Sequence, residues 1–582
     1  MSSARRPPRI AIDTCARRLR ALGGIDASDA LEPEITWHGP ASFPPEHPGS
    51  EASVQALTGL MEVHGRDQGT PRRLGLEVAS VAAGILGAQG ALAAAVARRR
   101  GNAVPVVRTS VLEAGLLLLS HYFVVATGLG DALPGPALPA SGPPFRSADG
   151  RWFEVETLDA ESWKAFWTRL GAPANELGRG WTVFRWRYER AACSLPAGLH
   201  EAAAKHSLAG LRQVAAAAGV SLAPLRGYDE VQPDPGLLAA HPKVSSRGHG
   251  PARSGVTTVA GLPLAGIRVV EATSRIQGPF AGMLLRMLGA EVVRVQPPEG
   301  DYGRAPVTLH RGKETVQLDL GRSAGRAELV ELVRGADAFL HNWRPGKAAE
   351  WGLGSEELAR CQPALVYAEV SGWGDRPPVG NPVGTDFLVQ AHTGLGQGLH
   401  PTDEPPFPSR MILCDLFGAL VGAEGVLAGL YRRERTGGAC DVRSSLVAGA
   451  MALQAHVLED MAGGKEDGRR DGRPLWGILD RPLPTADGLV AISVEDDDAF
   501  GRLCRLCAVD PAAAPRPEME RRLAAGLGVD TATRWEERLA GAGIPAAVVC
   551  VDLADVPADP RLSGLFEPVG DGLAPRAPWS FT

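Results

Sequence analysis

Two groups of residues in this chain have types and spacings that could do chemistry. Cys504 and Cys507 form a CxxC, the spacing of metal and dithiol sites. They fall in Phe500–Cys507, a stretch of helical pattern with no second cysteine pair or histidine cluster nearby, so two ordinary helix residues are expected. The second group is made of carboxylates. Asp386 and Asp415 each open an apolar helical run and, by residue type, read as helix caps. Asp403 lies between them in the Pro-rich HPTDEPPFPS, where an aspartate is by default a solvated turn former. An ionised carboxylate is also a nucleophile toward activated acyl groups. No GxGxxG follows the first strand of the α/β pattern described below, so no standard dinucleotide site is indicated.

These residues sit in a chain of 582, too long for one core, so two or more domains are expected. Hydrophobic residues make up 45% and charged residues 22%, an ordinary globular composition. A net charge of -6 gives no general pull toward nucleic acid or anionic lipid. The lysines are few (Lys164, Lys205, Lys243, Lys313, Lys347 and Lys465) beside abundant Ala, Gly, Pro and Arg, which reads as the codon bias of a GC-rich bacterial genome. Eight cysteines in this length do not make a disulfide scaffold. Met1 to Cys15 is basic without an apolar core, so no signal peptide is read there. Ala114–Gly130 is the stretch most like a membrane span, but it is short and carries His121. A buried helix, no membrane partner and a cytoplasmic location are expected.

The elements that must position any site come in two versions. Gly49–Val111 aligns with Gly384–Leu446 at a constant offset, without a gap and with about 18 identities. GSEASVQALTGL matches GTDFLVQAHTGL, GAQGALAAAVARRR matches GAEGVLAGLYRRER, and VVRTS matches DVRSS. Weaker blocks follow at Ser147 against Thr485 and at Gly219–Pro235 against Gly543–Pro560. The second copy is preceded by an α/β segment from Gly266, of which the first keeps at most a remnant, Arg9–Ile25. The chain therefore reads as a truncated copy over 1–240, a polar Gly/Pro-rich linker over 241–262, and a complete unit over 263–582. In that unit Ile267–Ala272, Ala290–Gln296, Lys313–Leu320, Ala338–His341 and Leu365–Val370 are predicted strands, and Gln277–Leu288 and Ala324–Arg334 predicted helices. This alternation predicts a parallel, doubly wound, Rossmann-like sheet with ligands beyond the carboxyl ends of its strands.

LRMLGAEVVRVQPPEGD, RGKETVQLDL, GADAFLHNWRPGKAAEWGL, ALVYAEVSGWG and GTDFLVQAHTGL resemble, in order, landmarks of the family III (CaiB/BaiF, formyl-CoA transferase-like) CoA-transferases. DLFGALVGAEGVLAGLYRRERTGG and the TADG and GIPAAVV blocks continue the resemblance to the C-terminus. It implies a Rossmann-like large domain, 263–450 with a C-terminal return, a smaller α+β domain at about 475–555, and subunits threaded as interlocked rings. It also implies transfer of coenzyme A, entering as acyl-CoA, to a carboxylic acid, without a metal.

The family contains racemases as well, which use a His directly before the Asp of a GHD sequence. Here that position reads Gly384-Thr385-Asp386, and Thr385 cannot exchange an α-proton near neutral pH. The transferase resemblance places the nucleophile on Asp403 and an oxyanion donor on Gln277, with Glu404 where glycine is usual. A glycine loop that assists in the family has only poor counterparts, Gly463-Gly464 or Asp471–Pro474. For CoA the resemblance points to Ile276, Leu318, Asn342 and Trp343, with Arg344 or Lys313 meeting phosphates. Two pocket arginines of the family are replaced by Pro297 and Glu350, and the segment between Gly300-Asp301 and Arg311 is short.

In the truncated copy the offset puts Gln68 at Asp403, Ser80 at Asp415 and Glu51 at Asp386, with Asp67 next to the critical position and no counterpart of Gln277 or Asn342-Trp343. The expectation is one active site per chain, the half-copy standing in for part of a second subunit in a monomer or a homodimer. The alternatives are another acyl-transfer, lyase or isomerase reaction, or a non-catalytic acyl- or CoA-binding scaffold.

Overall fold

The computed structural model describes residues 6–44, 47–102, 104, 106–128, 142–231, 234–238, 241–248, 261–300, 305–380, 382–465, 468–510 and 514–581. In the first copy, helix α1 (Arg9–Ala21) packs on the long helix α3 (Val78–Arg99), and strand β1 (Glu34–Thr36) pairs in parallel with β2 (Val107–Ser110). Between them lies α2 (Glu51–Thr58). A small antiparallel sheet follows: β3 (Phe145–Arg146), β4 (Trp152–Glu156) and β5 (Ser221–Pro224). Its helices bury Trp163, Phe166, Trp167 and Phe184 in a separate aromatic core. Strand β6 (Lys243–Arg247) ends this copy.

The second copy opens with β7 (Arg268–Ala272), α4 (Gln277–Met287), β8 (Glu291–Gln296), β9 (Glu314–Gln317), α5 (Ser323–Arg334), β10 (Ala338–His341) and β11 (Val366–Ser371). Each lies within a residue or a few of its predicted range, because the short Val-rich runs fill buried parallel strands while the Leu/Val spacing of α5 leaves one face wet. Then come α6 (Asp386–His392), α7 (Leu413–Thr436) and β12 (Ala439–Ser445). The sheet order is β6-β12-β11-β10-β7-β8-β9, parallel except for β6. Strand order reverses between β7 and β10, so the crevice that binds ligands in such sheets opens at their carboxyl ends.

Helices α3 and α7 pack against each other at the centre of the molecule and are buried along almost their whole length. Both are long and apolar enough to cross a membrane, but the fold encloses them as core. Glycines make the close approach: a side chain at Gly422 or Gly429 would press on Val370 or Val366 of the sheet, and one at Gly84 would strike the Ala11 carbonyl of α1. Polar ties at this contact are internal, Gln89 donating to the Leu420 carbonyl at 2.7 Å and Arg18 pairing with Glu424.

After α7 and β12 the chain builds a second small sheet, β13 (Leu483–Pro484), β14 (Leu489–Ile492) and β15 (Ala546–Val548), and ends with β16 (Ser580–Phe581). The two copies are exchanged. The first small sheet packs on α6, with Arg226 N–H donating to the Ala391 carbonyl, and the second packs on α2, with Cys550 N–H donating to the Ala56 carbonyl. Likewise β6 closes the sheet of the second copy, while β16 pairs with β2 of the first and Trp579 bonds the Leu86 carbonyl.

Two expectations are corrected here. The predicted linker contains a strand: Lys243–Arg247 has no apolar alternation because it is an edge, mostly exposed, held by its backbone to β12. Residues 249–260 of that linker lie outside the described residues. The C-terminal return does not rejoin the sheet of its own copy but crosses to β2. Ala114–Gly130 falls in the buried helices Val111–Leu118 and Ser120–Thr127, with Leu129 and Gly130 outside the described residues. Cys504 is buried and Cys507 half-buried on the helix Asp497–Leu506 and its end, both as free thiols.

Candidate active site

A cavity of about 1720 Å³ opens at the carboxyl ends of the parallel strands. Its lining comes from the turns after β7 (Ser274 to Gln277), β8 (Pro297), β10 (Asn342 to Gly346), β11 and β12, and from the first turn of α7, where Asp415 stands. The facing wall belongs to the first copy: His121, Thr157, Leu158, Trp181, Arg185 and Arg187 to Glu189. Neither copy alone encloses this space.

One carboxyl group, Asp415, lines it, and a second, Asp386, lies buried behind. Asp386, fully buried, accepts the backbone N–H of Asp415 at 2.8 Å and the amide of Gln390 at 2.5 Å, so it caps α7. The first copy repeats this arrangement: Glu51 accepts the backbone N–H groups of Ala79 and Ser80, each at 2.9 Å, and the Gln55 amide at 3.0 Å. The acid–glutamine pair is therefore a helix-capping device common to both copies. What differs is the next position, Asp415 in one copy and Ser80 in the other. Asp415 faces the cavity and accepts a hydrogen bond from the Gln277 backbone. Burial raises its carboxyl well above the usual range, the neighbouring Asp386 raises it further, and Arg275 and the Gln277 N–H act against both. Burial raises Asp386 as well, so two enclosed acids share one negative charge more readily than two.

Gln277 starts α4 and is nearly buried; its side-chain nitrogen reaches the Ser371 carbonyl only at 3.4 Å, a weak tether that leaves a donor facing the cavity. Arg275, in the turn before it, has φ of 65°, the left-handed region that favours glycine. On the facing wall Arg187 bonds Glu156 at 2.6 Å and Tyr188 also donates to Glu156, while the Tyr188 ring stacks on Phe387 of α6 at 4.8 Å. Arg410, just before α7, pairs with Glu154 of β4 at 2.5 Å. Buried ion pairs thus fix the first small domain against the helices that carry the acids. His121 is buried with its Nε2 unpartnered, and burial pushes its imidazole down to about 3, so it lines the cavity as a neutral ring.

The structure gathers some of the predicted site residues and separates others. Gln277, Ile276, Asn342, Trp343 and Arg344 all line the cavity. Asn342 clamps the turn after β7 by accepting from Ser274 N–H at 3.0 Å and donating to its carbonyl at 2.8 Å. Trp343 stacks on His341 at 4.7 Å with one face toward the opening. Lys313 is corrected: its ammonium is fully buried, 2.7 Å from Glu271 and 2.8 Å from the Pro279 carbonyl, and meets no cavity. Leu318 is also corrected, being a core residue beneath the sheet and not a lining one. Asp403 is the main correction. Its side chain is 64% exposed, both oxygens are held by Arg481 at 2.9 and 2.8 Å, and it stands outside the cavity. Its proline-rich loop runs along the junction with the first copy, where Arg72 pairs with Glu404. Gly463-Gly464 and Asp471–Pro474 are outside the cavity too. Of the short segment after Gly300, Asp301–Arg304 lie outside the described residues.

The model of "CoA-transferase family III" matches residues 34–260 and 264–574, covering both copies. The chain belongs to that family. It is 30% identical over 323 residues to the "Probable fatty acyl-CoA transferase Rv3272" of Mycobacterium tuberculosis, spanning 49% of this chain and 82% of that protein. It is 30% identical to the "Acetyl-CoA:oxalate CoA-transferase" of Acetobacter aceti (50% and 82% covered) and 27% identical to the "Succinyl-CoA:glutarate CoA-transferase" of Mus musculus (49% and 71%). Among solved structures, a CAIB/BAIF family protein from Brucella suis is 26% identical with a TM-score of 0.49, covering 55% of this chain and 93% of that one. Rv3272 has a TM-score of 0.47 at 29% identity.

Asp415 was legible only in part. Its helix-start position suggested a cap, yet the repeat carried a signal: the carboxylate is kept at Asp386 and Glu51 but lost from Asp415 to Ser80 in the copy that lacks the rest of the site.

Proposed function

We propose that this protein transfers coenzyme A from an acyl-CoA to a carboxylic acid, with Asp415 as the attacking carboxylate. The observation that carries the reading is that, of Asp386, Asp403 and Asp415, Asp415 is the one that lines the cavity beside Gln277, half-buried in the first turn of α7. The relatives named above, which act on acyl-CoA and on oxalate or glutarate, support the substrate classes.

In this mechanism an ionised Asp415 oxygen attacks the thioester carbonyl carbon; the C–S bond breaks, leaving a mixed anhydride and CoA thiolate. The thiolate attacks the aspartyl carbonyl, the anhydride C–O bond breaks, and the donor acid departs from an aspartyl-CoA thioester. An acceptor carboxylate then attacks that thioester and the same steps run backwards, restoring Asp415. Each tetrahedral oxyanion meets the Gln277 amide and the positive end of α4, and one well-placed donor contributes about 3–4 kcal/mol. Trp343 and Arg344 stand where the nucleotide end of CoA would lie, one offering a ring to stack on and the other a cation for phosphate.

The truncated copy takes the place of a second subunit: it supplies the facing wall but, with Ser80 at the nucleophile position, no site of its own. One chain is then one catalytic unit. Incubating the full chain with acyl-CoA, trapping with hydroxylamine and locating the modified residue by mass spectrometry tests this. Hydroxamate at Asp415 and nowhere else supports it; modification at Asp403 or no adduct with any acyl-CoA refutes it.

A further inference from the structure

A transferase of this kind must bring an ionised acceptor acid up to an acyl group on an enzyme side chain, here beside a second buried acid, Asp386. Asp415 and Asp386 are already crowded, so a third carboxylate needs a cation beside them. Two arginines of the cavity are held by carboxylates, Arg187 by Glu156 and Arg443 by Asp375, and Arg185, Arg344 and Arg376 also line it. Arg275 differs from all of these in standing in the turn beside Gln277 and in acting on Asp415. Its side chain is exposed to the cavity, makes no hydrogen bond or ion pair among the described residues, and is the cation acting on Asp415.

Its backbone carries a second, independent observation. Ser274 on one side is clamped by the two Asn342 bonds, and Ile276 on the other starts α4 by accepting the Phe280 N–H. Between these fixed points the chain turns through φ of 65°, which costs a residue with a side chain about 1–2 kcal/mol over glycine. Strain of this sort persists where the side chain is used.

We infer that Arg275 is the subsite for the carboxylate of the acid substrate, holding it beside the Asp415 acyl group in the second half of the reaction. This rests on the reading of Asp415 above. Arg275 donates to the acceptor's oxygens, offsets its charge against the neighbouring Asp386, and presents one oxygen to the aspartyl thioester. That oxygen bonds to the carbonyl carbon as the C–S bond breaks and the thiolate takes the electron pair.

The test uses R275G, which suits the left-handed turn and removes the cation, and R275K, which keeps a charge without the planar fork. Acetyl-CoA or succinyl-CoA, whichever the wild type turns over faster, serves as donor, and oxalate, succinate and glutarate serve as acceptors at pH 8.5. The expected result for R275G is a rise of at least tenfold in KM for the acid, partly restored in R275K. KM for the acyl-CoA moves by threefold or less, and hydroxamate still forms at Asp415 without acceptor, more slowly because the cation that favours its ionised form is gone. An acid KM raised less than fivefold, or acid and acyl-CoA KM rising together, overturns the inference while leaving Asp415 standing. Absence of any Asp415 adduct in the wild type removes both.

Discussion

Replacing Asp415 by asparagine separates the mechanism from the architecture. Asparagine has nearly the same shape and can still accept the Gln277 N–H through its carbonyl oxygen, so the first turn of α7 stays in place. It cannot form an anhydride, and loss of a covalent nucleophile lowers turnover by about 10³-fold or more. Stability moves the other way. A buried acid whose folded-state pKa is raised loses stability as pH rises from its unfolded value through its folded value, since the unfolded chain releases the proton first. Each unit of that shift is about 1.4 kcal/mol. D415N should therefore match the wild type near pH 4 and exceed it at pH 8 by about 1 kcal/mol or more, read as the difference in urea midpoints at the two pH values. D403N is the companion variant. It breaks an exposed pair with Arg481, worth about 0–1 kcal/mol, and leaves turnover within twofold. Turnover of D415N within tenfold of the wild type, or an equal loss in D403N, would refute the argument that enclosure selects the nucleophile.

Three further outcomes follow from the same geometry. Lys313→Ala leaves Glu271 buried without its ammonium, so urea unfolding should show a loss of about 3–5 kcal/mol; an unchanged midpoint with weaker CoA binding would return Lys313 to the phosphate role. Glu51→Ala removes the cap of α3 and one of the Gln55 amide's acceptors, costing about 1–3 kcal/mol by the same measurement, while hydroxamate formation at Asp415 per folded molecule is retained. Trp343→Ala should raise KM for acyl-CoA by about tenfold, the loss of one stacking contact, with KM for the acid little changed in steady-state assays.

Much of the second copy's architecture was readable because local pattern and buried environment agree there. The apolar runs of β7, β8 and β10 could fill only a sheet covered on both faces, and the spacing of α5 fits only a half-wet helix. The repeat was readable because α3 and α7 present matching glycines, Gly87 with Gly422 and Gly90 with Gly425, each to a strand of its own half. Asn342, Trp343 and Gln277 were found through ordered motifs beside those strands. Lys313 and Leu318 lie in the same motifs, yet one faces a buried glutamate and the other the core, a distinction that motif order does not carry.

What the sequence alone determined is the set of local elements, the duplication and the family, since each depends on neighbours within one segment or on register between two. Tertiary structure decided which carboxylate lines the cavity and whose wall it faces. Asp403 and Asp415 are twelve positions apart in one chain, but only the first copy's small domain, packed on α6, walls the cavity that one of them lines, while the other stays in solvent. Burial, and with it the chemistry of a carboxylate, is set by residues hundreds of positions away, because the strands and small domains of the two copies are exchanged.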